Sequence, residues 1–173
     1  GDYLTGEAFD TGYEARFLLD DEDRIYRSRR DWLVELAKGK RVVHVGCVDH
    51  NAATIQAKIN KGKWLHKRLD EVAARCLGVD IDEPGIQYMR DELGYEDVIA
   101  SDVLEADLPE PGGDQDMWDL MIVAEVLEHV DNPVSFLSSL AQQQAGKVKT
   151  LLVSVPNAFA SENRRFSRGG IEM

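Results

Sequence analysis

Residues 41–50 read RVVHVGCVDH, an apolar, β-branched run that ends in a glycine turn. Two runs of the same kind follow. LGVDID (77–82) closes on acids, and DLMIVAEVLEHVDNP (119–133) closes on acids and a histidine. Runs of this type separated by helical pattern describe parallel strands joined by crossover helices. The chain therefore reads as α/β, a mainly parallel sheet with helices on both faces. In such sheets ligands bind outside the carboxyl ends of the strands. The glycine, the acids and the histidine all fall there.

Outward from these runs the elements alternate. Residues 3–19 suggest a short hairpin or irregular arm, and a helical pattern runs from Asp20 until Gly39 ends it. Val42, Val43 and Val45 form the first strand. Residues 51–75 are helical but broken near Gly62, too long for one crossover helix, with Trp64, Leu65, Leu69, Val72 and Ala73 proposed to line one buried face. The second strand is expected at 77–81, a helix from Pro84 to Leu93, a strand at 97–101, a fourth strand at 119–124, a helix at 132–144 and a fifth strand at 151–157. These divide into an arm and helix (1–40), an α/β core (41–157) and a polar tail (158–173) expected to be flexible. A sheet of this type usually continues past a fifth strand, so its C-terminal strands are expected to be missing here.

Composition bounds the function. With 43% apolar residues, the 173-residue chain suits one globular domain. Its net charge of −12 disfavours nucleic acid as a partner, because that affinity rests on Lys and Arg neutralising phosphates. No stretch is apolar for long enough to span a bilayer, and GDYLTGEAFD has no signal-peptide pattern. Cys47 and Cys76 read as reduced core thiols, which points to the cytoplasm. Homo-oligomerisation is left open.

The strand ends suggest a ligand. Gly46 lets one approach the backbone closely, beside free N–H groups of the next helix. Asp80 can accept both hydroxyls of a ribose, and Asp102 can accept from an adenine amino group. Ile81 and Val103 can sandwich the base. An Asp after a strand is also a common turn or cap residue, so it is the ordered set that points to adenosine. The dinucleotide fingerprint G-x-G-x-x-G is absent, since the residues from Gly46 read G-C-V-D-H-N. A phosphate-free adenosine cofactor fits better.

From about 41 to 157 the order VVHVGC, GVDID, SDVLEADL, DLMIVAEVLEHV, LLVSVPN resembles the class I S-adenosylmethionine-dependent methyltransferases. EVLEHV and SVPN resemble the branch that includes ubiquinone-pathway O-methyltransferases. The resemblance implies a Rossmann-like methyltransferase fold, with S-adenosyl-L-methionine as cofactor and S-adenosyl-L-homocysteine as product. It implies that Gly46, with Cys47 beside it, lies under the methionine part and that Asp80 holds the ribose. Asp102 and Val103 would contact adenine, and Ala124 and Glu125 would close the site near the sulfonium. The chain departs from the family at His44, where an acid is usual, and at Val48 and His50, where glycines are usual. Asp49 can substitute for part of the missing acid.

Glu125, Glu128 and His129 stand at i, i+3 and i+4, and on a helix they would share a face. There they could hold Mg²⁺, Mn²⁺ or Zn²⁺. A similar E-x-x-E-H pattern is a metal site in small-RNA 3′-terminal methyltransferases, which bring a further His from later in the chain. The plainer reading has no metal: Glu125 touches the cofactor, Glu128 caps or is solvated, and His129 packs on the fourth strand. As a catalytic pair, His129 would act as general base with Glu128 beside it. His44 reads as a satisfied core residue, His66 as lying on a solvated helix face among Lys63, Lys67 and Arg68, and His50 as a helix-start or site residue. Asn157 faces the site or is a turn residue. Arg164, Arg165 and Arg168 belong to a solvated tail or attract an anionic acceptor.

The favoured function is methyl transfer to a small molecule or saccharide, at oxygen. The rivals are a metal-dependent RNA 3′-terminal methyltransferase and a catalytically silent, cofactor-binding partner subunit. A nicotinamide-dependent oxidoreductase is more distant.

Overall fold

The computed structural model describes residues 28–113 and 116–156. The 3–19 arm, the helical pattern from Asp20 up to residue 27, Asn157 and the 158–173 tail with its arginines lie outside the described residues.

Five strands, Arg41–Val45 (β1), Arg75–Asp80 (β2), Val98–Ala100 (β3), Leu120–Ala124 (β4) and Leu151–Ser154 (β5), pair in parallel in the order β3-β2-β1-β4-β5. The chain steps outward from β1 to β3, then returns to the other side of β1. That reversal leaves a crevice beyond the carboxyl ends of β1 and β4. Both strands are buried on both faces except at Arg41, which explains why they read as continuous rather than alternating apolar runs.

The helices are Arg29–Ala37 (α1), Ala52–Asn60 (α2), Leu65–Asp70 (α3), Glu83–Asp91 (α4) and Pro133–Gln143 (α5). Short polar side chains start four of them by accepting a backbone N–H: Ser28 from Asp31, Asn51 from Thr54, Asp82 from Gly85 and Asn132 from Ser135. Each cap contributes about 1 kcal/mol. On one face of the sheet Val43, Val45, Leu77, Val79, Met121 and Val123 pack with Leu140 of α5 and with Val103, Ala106 and Leu108. On the other, Val42, Cys76, Leu120 and Ile122 meet Leu33 and Ala37 of α1 and Leu69 of α3.

The stretch 51–75 holds two helices, α2 and α3, and does not bury a single face. Trp64 packs with Ile55, Ile86 and Met89, whereas Leu65, Leu69, Val72 and Ala73 join the α1 cluster. His66 corrects the sequence reading. It is fully buried, 0% exposed, although its neighbour Lys67 is exposed. α3 is only six residues long, and charged neighbours do not reveal the phase of so short a helix. A β2 glycine makes room for the ring: a Cβ on Gly78 would lie 2.9 Å from both His66 Cε1 and Cys47 Sγ.

His44 is 3% exposed, as a core residue should be, and its Nδ1 lies 3.2 Å from His66 Nδ1. Burial pulls His44 down to about 4, against a smaller opposite pull from Asp49. Burial also lowers His66, with the neighbouring imidazole acting in the same direction. Both rings are therefore neutral when folded and protonate near pH 6.5 when the chain unfolds. Between those values the unfolded chain binds more protons, so stability falls as the pH falls. We expect His44 alone to remove about 3 kcal/mol between pH 6.5 and 4. Urea midpoints across that window check this: the wild type should lose stability steeply, and His44→Gln less, keeping the part due to His66.

Candidate active site

The crevice holds a cavity of about 700 Å³, within the usual range for small-molecule sites. It lies where β1, β2, the segment after β3, and β4 end, with α1 over one side.

The β1 turn forms its floor. Gly46 has φ +79°, and a Cβ there would lie 2.8 Å from Val126 Cγ2. Both the turn and the close approach require glycine. Two residues later the expected glycines are absent, yet the backbone still turns left-handed at Asp49 (φ +56°) and His50 (φ +78°). Asp and His are among the non-glycine residues that tolerate this region. Lys58 of α2 clamps the Asp49 carboxylate, with Nζ 2.5 Å from both oxygens. Val48 is 1% exposed and packs on Gly85 of α4, so the larger side chain turns away from the cavity.

Cys47 borders the cavity, but its thiol is buried 4.0 Å from Met89 Sδ and its carbonyl accepts from Trp64 Nε1 at 3.1 Å. Burial, then nearby Asp80, pushes that thiol well up. Cys47 is wall, not a reactive group. Cys76 is also buried and free.

Asp80 ends β2. Its Oδ2 accepts from Val48 N–H at 2.8 Å and its Oδ1 from Asp82 N–H at 3.0 Å. The carboxylate is thereby oriented, and each oxygen keeps further acceptor capacity. Ile81, beside it, is 77% exposed at the rim. Val103 is 4% exposed and lines the cavity from below, continuous with the core. Exposed Asp102 forms a tight turn, Oδ1 accepting from Leu104 N–H at 2.9 Å. It has both the turn role and a place in the lining.

Ala124 ends β4, and Glu125 follows at φ +57° with its N–H donating to Ser154 O at 3.0 Å. The Glu125 carboxylate pairs with Arg29 of α1, whose guanidinium also reaches Ser154 Oγ at 3.5 Å. That pair ties the start of α1 to the ends of β4 and β5. Partial burial and then Arg30 lower Arg29 from its ordinary value, while Glu128 and Asp49 act in the opposite direction. Glu128 and His129 are exposed and line the cavity from a 3-10 turn, Leu127–His129. Glu125 precedes that turn in a left-handed conformation. The shared face that a helix would have given the three residues is therefore not formed. Nor does His129 pack down on β4. Among the described residues, no group of three or more His, Cys, Asp or Glu is placed to hold a metal ion.

His50 lines the cavity as well. Sequence reading missed Arg29, Lys58, Leu65 and Phe136, which also line it. Arg29 carried no local signal, because its partner Glu125 is brought near only by the sheet order. Lys58 sits in the last turn of α2, and only the fold of the β1 turn aims Asp49 at it.

Residues 61–144 match a family model described as a methyltransferase domain. No curated protein matches the chain in sequence. Among solved structures, the N-methyltransferase NodS from Bradyrhizobium japonicum WM9, determined in complex with S-adenosyl-l-homocysteine, aligns with TM-score 0.51 at 16% identity over 80% of this chain. The sugar N-methyltransferase KedS8 from Streptoalloteichus sp ATCC 53650 aligns with TM-score 0.51 at 12% identity over 89% of this chain. The chain spans 65% of the first and 61% of the second. No helix among the described residues is long and apolar enough to cross a membrane. The chain has the Rossmann-like fold of the methyltransferases, and its stretch 61–144 carries the sequence match to their domain.

Proposed function

We propose that the cavity binds S-adenosylmethionine and that the chain transfers its methyl group to a small-molecule or saccharide acceptor, at oxygen. One observation carries the cofactor half: Asp80, held by two backbone N–H groups, faces a cavity floored by a glycine whose Cβ position must stay empty. A diol acceptor beside a close-approach backbone suits a ribose and the chain attached to it. Bound there, the sulfonium supplies an already activated methyl group.

The chain's residues do the rest. Asp80 accepts the ribose hydroxyls, Ile81 and Val103 flank the base, and Asp102 accepts from its amino group. Gly46, with Cys47 and Asp49, forms the floor, and the Ala124–Glu125 turn forms the wall nearest the reacting carbon. Their combined task is to bring acceptor and methyl carbon within about 3–3.5 Å in line and to exclude water. His129, exposed on the rim, takes the proton of an acceptor hydroxyl as the new bond forms, with Glu128 beside it. The core is residues 41–157, and the buried free cysteines suit a cytoplasmic setting.

Calorimetric titration with S-adenosylhomocysteine tests the cofactor half. The expected result is micromolar affinity that falls at least about tenfold in Asp80→Ala, the loss of hydrogen bonds to a charged group. No binding by the intact chain contradicts it. For the chemistry, His129→Asn should lower turnover of hydroxyl acceptors by about 10²–10⁴-fold and leave S-adenosylhomocysteine affinity unchanged. Tight binding with no transfer to any acceptor would instead identify a silent partner subunit.

A further inference from the structure

The His44–His66 pair is a buried imidazole dyad that the proposed reaction does not use. The ring centroids are 5.4 Å apart, the planes 13° from parallel, and the Nδ1 atoms 3.2 Å apart. That separation fits an in-plane, edge-to-edge N–H···N hydrogen bond and is too wide for rings in face contact. Each neutral imidazole has one N–H and one acceptor nitrogen. One ring therefore donates from Nδ1, and the other carries its proton on Nε2.

The surroundings choose between the two arrangements. His66 Nε2 is buried with no partner. If His44 donated, that orphan would be an N–H group. If His66 donates, it is a bare lone pair. Among backbone groups a buried orphan N–H is rarer than an under-satisfied acceptor, and the same preference applied to the ring favours the bare lone pair. Cys76 Sγ, 4.0 Å from His66 Nδ1, is both a weak donor and a weak acceptor, so it favours neither. His66 therefore donates and His44 carries its proton on Nε2. With Nδ1 spent on His66, Nε2 is the ring nitrogen left for the cavity that His44 lines.

The sheet order says what that donor meets. Asp80 and the segment after β3 lie on the β2–β3 side of β1, and Glu125 and Arg29 lie on the β4 side. An adenosyl ligand with its ribose on Asp80 would reach the β4 side by passing its tail over the end of β1, where His44 lines the cavity. We infer that His44 is a ligand-holding residue: its uncharged Nε2–H, fixed in that tautomer by His66, donates to the α-carboxylate of the amino-acid tail. A neutral donor thus stands on the floor of the crevice, whose β4 side carries the Arg29–Glu125 pair. This inference rests on the cofactor reading above.

Nitrogen-15 NMR of the histidine rings in the labelled wild-type protein tests it, with His44→Gln used to assign the signals. The expected spectrum shows His44 protonated at Nε2 and His66 at Nδ1. Adding S-adenosylhomocysteine should shift His44 Nε2. Adding 5′-methylthioadenosine, which has the adenosyl group without the amino-acid tail, should not. His44→Leu should weaken S-adenosylhomocysteine about tenfold and methylthioadenosine hardly at all, while His44→Gln, which keeps an N–H donor, should recover most of the loss. The reversed tautomers, or an unmoved His44 signal in protein shown to bind S-adenosylhomocysteine, would overturn the inference and leave the cofactor reading standing. Failure of both ligands to bind would overturn the cofactor reading, and the inference with it.

Discussion

The hydrogen bond from Val48 N–H to the Asp80 carboxylate, 2.8 Å long, is the contact on which the site depends. It joins the turn after β1 to the end of β2, two points that the parallel ladder has already brought level. The second Asp80 oxygen holds Asp82 N–H, and Asp82 in turn caps α4. One carboxylate thus aligns a turn, a strand end and a helix start. Removing it would leave two backbone donors to find water, which is why Asp80 bears on the shape of the crevice as well as on its chemistry.

The floor shows how a turn holds its course with residues other than glycine after Gly46. A non-glycine residue in the left-handed region costs about 1–2 kcal/mol, and this chain has such residues at Asp49 and His50. The Lys58 clamp on Asp49 and the cap at Asn51 hold that backbone. Val48 takes the opposite course, burying its side chain where Gly85 leaves space. Val48 therefore changes the packing behind the cavity, while Asp49 and His50 stay in its lining.

Much of the fold was legible because the central strands are buried on both faces, and continuous runs such as 120–124 admit few other readings. Gly46, Asp80 and Asp102 were legible as strand-end residues for the same reason. What the sequence hid lay in long-range geometry. His66 sits among basic neighbours, and only the Gly78 gap and the packing of α3 show that it is buried. Arg29 meets Glu125 only because the sheet reverses at β1. Glu125, Glu128 and His129 have a helical spacing in the sequence, but the left-handed turn at Glu125 breaks it.

We propose that this crevice holds an adenosyl amino acid, with its nucleoside on the β2–β3 side and its tail crossing β1. Diffraction from crystals grown with S-adenosylhomocysteine tests it most directly. The expected density has ribose hydroxyls on Asp80, adenine between Ile81 and Val103, and the homocysteine tail over His44 toward Arg29 and Glu125. A crevice that stays empty at saturating ligand, or a nucleoside bound at the β4–β5 side, would contradict it.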